Sequence, residues 1–493
     1  MRQFESDHGD AMIGHSLHSA HFGSRREALM RLGSGFGGLA LAALCGDTKS
    51  RAFGADATQH GVRPKPPHFE PKARAVIQLF MHGGPSQVDL LDPKPELSQR
   101  DGQAPPAEVL DDENRTSYLM GSPFKFNKHG ESGLEFSEVL PGIARHADQI
   151  AVVRSMFTEH RNHEQAIWMA NTGLIVSGRP NIGSWVAFGL GAENQNLPAY
   201  VALPEPKGLP VDGTRNWSCG WLPPIYQGTA IRSEGMPVLH LQPKSARPAD
   251  IDQGRMDLLR KLNAGHREAR PGELELDARI ASFELAARMQ LTASDALDIS
   301  QETAATQSLY GLDQPKTQSY GKRCLMARRL VERGVRFVQL FMAGQPWDTH
   351  ANNTTGIRSC CEQTDLPVAG LLTDLQQRGL LDSTLILWGG EFGRTPGAER
   401  GDLKSRGNEG RDHHPYGFSV WLAGGGIRGG QAYGATDDFG YRAIVNRTQT
   451  SDLHATMLHL LGLNHEQLTF AHNGRDERLT DVYQARVIQE LLA

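Results

Sequence analysis

An acid and an imidazole stand two residues apart in the segment Trp347-Asp348-Thr349-His350, which follows the apolar run Val335–Leu340. A carboxylate and a histidine ring at the end of a strand can turn towards one cation, and both are common ligands of divalent metals. An isolated Asp-x-His pair is also compatible with an ordinary turn beside a surface histidine. The pair is a candidate metal half-site whose meaning depends on its surroundings.

A second set of polar residues follows the next predicted strand. The apolar run at 335–340 is followed by a helical pattern at 364–378 and by a strand at 384–388, which ends in Gly-Gly-Glu391-Phe-Gly-Arg394. Strands joined by such a crossover are parallel and end at the same edge of the sheet, where ligands of open α/β sheets bind. We therefore expect Glu391 and Arg394 to lie near the Asp-x-His pair.

Two adjacent histidines come from a third place in the sequence. The polar loop 398–414 ends in Asp412-His413-His414, just before the strand predicted at 418–422. These side chains precede a strand instead of following one. We expect the long loop to carry them back over the same edge of the sheet.

The amino-terminal half adds two candidate regions. An almost wholly apolar strand at 75–81 leads into His-Gly-Gly-Pro-Ser86-Gln-Val-Asp89, where Asp89 is either a ligand or part of a turn or cap. A strand at 149–153 leads past Arg154 to a helix at 162–170 with His163 near its start. The amino terminus of a helix attracts anions, although His163 there is equally a cap or a packed ring.

The order of these elements predicts the fold class. Apolar strands alternate with amphipathic helices, which indicates an α/β protein with a mostly parallel central sheet and helices on both faces. Residues 204–250 are rich in Gly, Pro and Trp, and 256–312 have a charged helical pattern. We interpret about 204–320 as a loop-rich and helical insertion in a domain that covers 58–493.

Composition excludes some functions. Lys and Arg number 51 against 56 Asp and Glu, so no global charge attracts nucleic acid or an anionic membrane. The five cysteines form neither a CxxC pair nor an evenly spaced framework, which argues against a zinc ribbon and a disulfide scaffold.

The first 57 residues read as a disordered start followed by an export signal. Arg25 and Arg26 precede a Gly- and Ala-rich apolar segment within 24–46 that is too short to span a bilayer comfortably, and Ala55-Asp56-Ala57 offers small residues for cleavage. This resembles a twin-arginine signal. We expect export by that machinery to the periplasm or the medium, with no stable transmembrane span after processing.

Taken together, these segments resemble the domain of unknown function 1501 family, a branch of the alkaline phosphatase and sulfatase superfamily. The resemblance covers nearly all of the chain after the signal and depends on seven motifs: HGGPSQVDLLDPKP, RSMFTEHRNHEQAIWMANTG, YGKRCLMARRLVERGVRFV, WDTH, GGEFGRTP, GRDHHP and HATMLHLLG. It implies an alkaline-phosphatase-like fold. The motifs are specific for the family and much less specific for an activity.

The resemblance also implies a metal centre with one or two divalent ions: zinc, calcium, magnesium or manganese. One site would take Asp348, His350 and either His413 or His414. The second would take Asp89, together with Glu391 in a Glu-Phe-Gly segment where Asp-His-Gly is usual. The acid is retained there and a histidine is lost.

The sequence departs further from the superfamily at the nucleophile. Counting nine residues back from Thr172-Gly173 leads to His163, which has neither a hydroxyl nor a thiol. Three alternatives stay open: His163 is a metal ligand and a metal-bound water attacks; a hydroxyl group serves as nucleophile instead; or hydrolysis has been lost. The candidate hydroxyl groups are Ser86, Ser155 and Thr158.

Two functions are compatible with this pattern. The first is an exported metal-dependent hydrolase of sulfate or phosphate esters that uses a metal-bound water, with Arg394 and Arg154 steadying the anionic group of a small ester or sulfated glycan. The alternative is a non-catalytic exported protein that binds a sulfated glycan or another anion on the same fold.

Overall fold

The computed structural model of this protein describes residues 62–107, 116–235, 249–399 and 407–493. The predicted export signal and its cleavage site lie outside the described residues. Within these ranges, no helix combines the length and the apolar composition needed to cross a bilayer.

Nineteen strands are present in the described residues. In chain order they are β1 Ala75–Phe80, β2 Tyr118–Leu119, β3 Phe126–His129, β4 Leu134–Ser137, β5 Ile150–Phe157, β6 Tyr200–Leu203, β7 Thr229–Ala230, β8 Phe337–Phe341, β9 Thr384–Gly389, β10 Gly393–Arg394, β11 Gly397–Ala398, β12 His413–His414, β13 Phe418–Ala423, β14 Gln431–Tyr433, β15 Ala435–Thr436, β16 Ala443–Val445, β17 Thr448–Gln449, β18 Phe470–His472 and β19 Arg475–Glu477.

Ten α-helices cover these strands or connect them. They span Gln87–Leu90, Pro95–Gln99, His163–Thr172, Ile182–Leu190, Ala249–Glu268, Leu274–Leu297, Ala304–Leu309, Gln318–Glu332, Asn353–Gln377 and Thr450–Leu460. Three of them, from Ala249 to Leu309, fall in or next to the range where the charged helical pattern predicted an insertion. Whether that region is an insertion stays a prediction.

Nine strands form the central sheet, in the order β14-β5-β13-β9-β1-β8-β6-β7, with β17 also paired to β5. Only β13 runs antiparallel to its neighbours, β5 and β9, and the other pairings are parallel. The mostly parallel α/β sheet predicted from the sequence is therefore confirmed.

Strand β1 shows why the centre of this sheet is stable. All six of its residues are buried, and alternate side chains enter different cores: Ile77 and Leu79 on one face, Val76 and Phe80 on the other. Successive side chains of a strand point to opposite faces, so this run, apolar except for Gln78, needs cover on both faces. Each fully buried side chain of this size contributes roughly 1.5–3 kcal/mol. The helices on both faces supply that cover, as predicted.

One helix differs from its sequence-based bounds. The helix expected at 364–378 begins at Asn353 and continues through Pro367 to Gln377. Ile357, Cys360 and Cys361 lie in its first half and are buried in the core beneath the sheet. Tertiary burial of that face therefore extends the helix beyond the part with a clear apolar period.

Candidate metal centre

Three loops begin side by side at one edge of the sheet. Strand β1 lies between β8 and β9, parallel to both, and Phe80 is level with Phe341 and with Gly389. The segments that follow therefore start together: one carries His82 to Asp89, one carries Asp348 and His350, and one carries Glu391 and Arg394. The expected parallel arrangement of β8 and β9 is confirmed, with β1 inserted between them.

Gly83 brings two of these loops into contact. Its φ of +112° is one that residues with a side chain rarely adopt, and a Cβ there would lie 2.4 Å from the amide nitrogen of Asp348. The amide of Trp347 donates to the carbonyl of His82 at 3.1 Å. Glycine at this position thus allows the backbone that carries Asp348 to pass directly over the end of β1.

Asp348 is the hub of the site. Its Oδ1 lies 3.0 Å from Nε2 of His350 and 3.1 Å from Nε2 of His413, and those two ring nitrogens are 2.9 Å apart. Its Oδ2 lies 3.4 Å from Nε2 of His163. Four predicted site residues from distant parts of the chain therefore direct ligand atoms into one small space.

The loop before β13 delivers His413 by pairing with two site segments. In the short ribbon β10–β12, His413 lies opposite Arg394. Further along the loop, the amide of Arg411 donates to the carbonyl of Thr349 at 3.0 Å. Gly410 passes so close to His350 that a Cβ would lie 1.9 Å from the His350 carbonyl carbon. The long loop does reach back over the edge, as expected.

Two carboxylates, the buried Glu391 and the partly exposed Glu399, fix the histidine tautomers. Oε1 of Glu391 lies 2.6 Å from Nδ1 of His163, and Oε2 of Glu399 lies 2.5 Å from Nδ1 of His350. A carboxylate accepts, so each ring donates its Nδ1 hydrogen and a neutral ring then keeps a lone pair on Nε2. Both Nε2 lone pairs face Asp348. Carboxylate behind imidazole is the usual arrangement around metal-binding histidines.

The electrostatics of the site call for a cation. Among the residues that the structure describes, the centre holds four carboxylates, Asp348, Glu391, Glu399 and Asp412, and one guanidinium, that of Arg394. With neutral imidazoles the sum is four negative charges and one positive, a net charge of −3. Uncompensated charge in a largely buried site is costly, so protons or metal ions must offset it.

The pKa directions of the histidines show where protons go without metal. Burial lowers the pKa of His163, but its bonds to Asp348 and Glu391 outweigh burial and raise it. The bond to Asp348 raises the pKa of His350, whereas burial lowers that of His413. Burial raises the pKa of Asp348, yet hydrogen bonds from the three imidazoles bring it far below its ordinary value. A metal ion can replace these protons.

The donor set fits divalent ions. Two groups have ligand atoms within 4.8 Å of one another: His163, Asp348 and His413, and then His350, Asp412 and His413. Mixed imidazole nitrogen and carboxylate oxygen donors suit zinc and other first-row divalent ions, whereas calcium and magnesium prefer oxygen alone. The residues present could hold one or two ions.

Arg394 lies beneath the ligands, with no exposed surface. Its Nη2 donates to Oδ1 of Asp348 at 2.6 Å and also to the carbonyl of Gly83, while Nε donates to the carbonyl of Gly84 at 3.0 Å. Its Nη1 donates to the carbonyl of Arg411 at 3.2 Å. These contacts orient Asp348 and hold the turn after β1.

Asp89 lies behind the centre, in a separate buried ion pair. Arg411 donates to both of its oxygens, at 2.8 and 3.0 Å, and Ser86 and Asn353 donate to Oδ2 at 2.7 and 2.9 Å. None of the contacts described for Asp89 is with the histidine cluster. Its oxygens are occupied by donors from this chain, which favours a structural role over metal ligation.

Two further predicted residues also point elsewhere in the described structure. His414 follows His413 in β12 and therefore faces the other way, where its Nε2 hydrogen-bonds to the carbonyl of Tyr441. Arg154 is on β5, and its Nε lies 3.9 Å from Oδ1 of Asp92. Its described contacts do not include the cluster.

The candidate hydroxyl nucleophiles lie apart from the histidines as well. Ser86 donates to Asp89 at 2.7 Å, and Ser155 donates to the carbonyl of Asn446 at 2.7 Å. The amide of Thr158 donates to the carbonyl of Pro415 at 2.9 Å. In the described structure, none of these three hydroxyl groups hydrogen-bonds to a residue of the cluster.

Three residues of this centre escaped the predicted set. Glu399 lies in a polar loop without any periodic pattern, so nothing local distinguishes it from a solvated acid. Asp412 was expected at this edge together with the two histidines, but it was not named as a ligand, although its adjacency to them was a usable signal. His82 directly follows the strand predicted at 75–81, which was another usable signal. Burial lowers the pKa of His82 to about 4, so the ring stays neutral beside Glu391.

The chain resembles one protein family and several solved structures. A model of the family described as "Protein of unknown function (DUF1501)" matches residues 73–492. No curated protein sequence matches the chain significantly. Similar solved structures include a Pseudoalteromonas sp. sulfatase, with 13% identity, coverage of 83% of this chain and 74% of that one, and a TM-score of 0.33.

Two other solved structures are similar at the same level. For the alkaline phosphatase of the Antarctic bacterium TAB5 the identity is 12%, the coverage 79% of this chain and 98% of that one, and the TM-score 0.32. For an alkaline phosphatase superfamily protein from Vibrio parahaemolyticus the identity is 9%, the coverage 90% of this chain and 78% of that one, and the TM-score 0.35. Because these identities and TM-scores are low, function has to be argued from the side chains of this chain.

Proposed function

This chain belongs to the DUF1501 family, and from that premise and the geometry of the centre we propose that it is an exported metal-dependent hydrolase of sulfate or phosphate esters. The observation that carries the proposal is the convergence of Nε2 of His350, Nε2 of His413 and Oδ1 of Asp348, at mutual distances of 2.9–3.1 Å. Where neither Nε2 carries a hydrogen, these three acceptor atoms repel one another, and a cation among them removes that repulsion. At this spacing all three atoms can bind one ion.

A divalent ion bound there would polarise the ester and lower the pKa of a water ligand to about 7, which supplies a nucleophile without a serine or cysteine. The residues of the chain hold and orient this arrangement. Glu391 and Glu399 keep the histidine lone pairs directed inward, and Arg394 fixes the carboxylate of Asp348.

The start of the helix His163–Thr172 offers a place for the anionic group of the ester. The helix begins at the centre itself, and Asn162 at its N-cap makes no side-chain capping bond. Backbone N–H groups of the first turn therefore stay available to oxyanions, and the helix dipole favours negative charge there. In this proposal the helix start binds the ester oxygens that Arg394, buried beneath Asp348, does not reach.

One observation favours the non-catalytic alternative. Ser86 and Ser155 hydrogen-bond elsewhere, the buried hydroxyl of Thr158 has no hydrogen-bond partner among the described residues, and Arg394 is occupied by Asp348 and backbone carbonyls. A protein that only binds a sulfated glycan or another anion needs no hydroxyl nucleophile. It also needs no arginine to stabilise the charge that develops during hydrolysis. Turnover distinguishes the two functions.

The test combines metal content with turnover. We expect stoichiometric metal in the purified protein, and its loss in Asp348→Ala and His350→Ala, with Asp476→Ala on an exposed strand as the matched control. Aryl sulfates, phosphomonoesters and phosphodiesters, each with several divalent ions, then measure hydrolysis. Absence of stoichiometric metal in the native protein would refute the proposal. Metal without any turnover would leave the binding function.

A further inference from the structure

We propose that a second anion subsite adjoins the metal centre, formed by Arg161 and Arg442 around Tyr416. This inference rests on the proposed function and deepens it. It assigns as substrate an oligomer with repeated sulfate or phosphate groups, one of which occupies the subsite while another reacts.

Arg442 has the geometry of an anion-binding arginine. Its guanidinium carbon lies 4.9 Å from the ring centroid of Tyr416 and 5.2 Å from that of Tyr441, while the residue remains exposed. In the described part of the chain, no carboxylate forms an ion pair with this side chain. Stacking on aromatic rings holds a guanidinium flat and leaves its N–H edges for the oxygens of sulfate or phosphate.

Asp437 contacts Arg442 through the backbone amide of Arg442. The carboxylate of Asp437 accepts the backbone amides of Phe439, Tyr441 and Arg442 at 3.0, 2.9 and 2.6 Å. It therefore shapes the turn that presents Arg442. The guanidinium itself faces the tyrosine rings.

Arg161 connects the subsite to the metal centre. Its Nη2 donates to the hydroxyl of Tyr416 at 3.4 Å. Arg161 is two residues before His163, and Tyr416 is three residues after His413. Because two and three residues of chain span at most about 7 and 11 Å, the subsite lies on the order of 10 Å from the ligand cluster.

The floor of the subsite is rigid. His414 packs against Tyr441 and Tyr416, with centroid distances of 4.5 and 5.4 Å, and also hydrogen-bonds to the carbonyl of Tyr441. The amide of Ala443 donates to the carbonyl of Tyr416 at 2.9 Å. Adjacent histidines thus point to adjacent places: His413 faces Asp348, and His414 packs against the aromatic floor.

Equilibrium binding to the full chain tests the subsite. The probes are a highly sulfated oligosaccharide, its desulfated counterpart and a linear polyphosphate, each followed by calorimetry. We expect Arg442→Ala to raise the Kd of the anionic probes at least about tenfold and Arg442→Lys to have an intermediate effect, since lysine keeps the charge without the flat fork. The matched control, Arg260→Ala on an exposed helix, should not change the Kd.

The outcomes separate this inference from the proposed hydrolysis, because binding needs no turnover. An unchanged Kd in Arg442→Ala, or equal binding of the sulfated and desulfated sugars together with no binding of polyphosphate, overturns the subsite. Tight, Arg442-dependent binding of either anionic probe supports it, even if hydrolysis is never observed. The tighter probe identifies the ester class.

Discussion

Nδ1 of His163 lies 2.6 Å from Oε1 of Glu391, whose carboxylate also accepts the amide of Gly83 at 2.9 Å. The superfamily resemblance placed Glu391 among the metal ligands. In the structure its Oε1 lies behind His163, the proposed ligand, where a carboxylate orients and polarises the imidazole. That relationship leads to the first of four predictions.

Glu391→Gln should weaken metal binding by about 10–100-fold while the protein stays folded. Glutamine keeps the shape and an acceptor oxygen but removes the charge that holds the Nδ1 hydrogen of His163. Competition of the protein with a metal indicator measures the affinity, and Glu466→Gln, at an exposed position, is the control. Unchanged affinity in Glu391→Gln would mean that this carboxylate does not act through His163.

Gly83→Ala should release the metal by moving Asp348. The added Cβ would lie 2.4 Å from the Asp348 amide nitrogen, too close for either backbone to stay in place. Gly133→Ala is the control, because Gly133 also has a positive φ, +66°, but has open space around it. Both variants bear a backbone cost of roughly 1–2 kcal/mol. Only Gly83→Ala should lose metal, and equal losses would contradict this account.

Arg411→Met should destabilise the fold by about 3–5 kcal/mol, because it leaves Asp89 buried without its partner. Adding Asp89→Asn should recover part of that loss, as measured by urea unfolding. Asp89→Asn by itself should keep the metal, since internal donors already occupy the Asp89 oxygens. Loss of metal in that variant would instead show that Asp89 is a ligand.

His454 should make the fold weaker in acid. The side chain is buried, its Nε2 hydrogen-bonds to the carbonyl of Ala170 at 2.9 Å, and burial lowers its pKa from 6.5 to about 4. Between these two pKa values the unfolded chain binds a proton that the folded chain does not. The contribution of the neutral His454 to the free energy of unfolding is therefore complete above pH 6.5 and decreases as the pH falls. From pH 7.5 to 5.0 the free energy of unfolding falls by about 2 kcal/mol through this group.

The measurement compares the native protein with His454→Gln, which retains an N–H donor without the titration. Urea unfolding at the two pH values should give a smaller decrease for the variant, by about 2 kcal/mol. Parallel decreases in both proteins would show that His454 is not the group that titrates.

The amino-acid sequence by itself determined the α/β class and the mostly parallel order of the sheet. Apolar runs such as Ala75–Phe80 and helical periods such as the one in Gln318–Glu332 are local, and the rules of parallel crossovers then place the loops after β8 and β9 at one edge. Such patterns predicted that Asp348, Glu391 and Arg394 lie at the same edge of the sheet, but they did not give the distances between their side chains.

Only the tertiary structure decided which side chains face the centre. Consecutive residues of a strand point in opposite directions, so the register of β10 with β12 directs His413 towards Asp348 and His414 towards Tyr441. Glu399 reaches His350 across 49 residues, and His413 reaches it across 63. The loops that make these contacts have no hydrophobic periodicity. Where their side chains meet is fixed by the packing of segments that are far apart in the chain, and a local sequence pattern does not encode that packing.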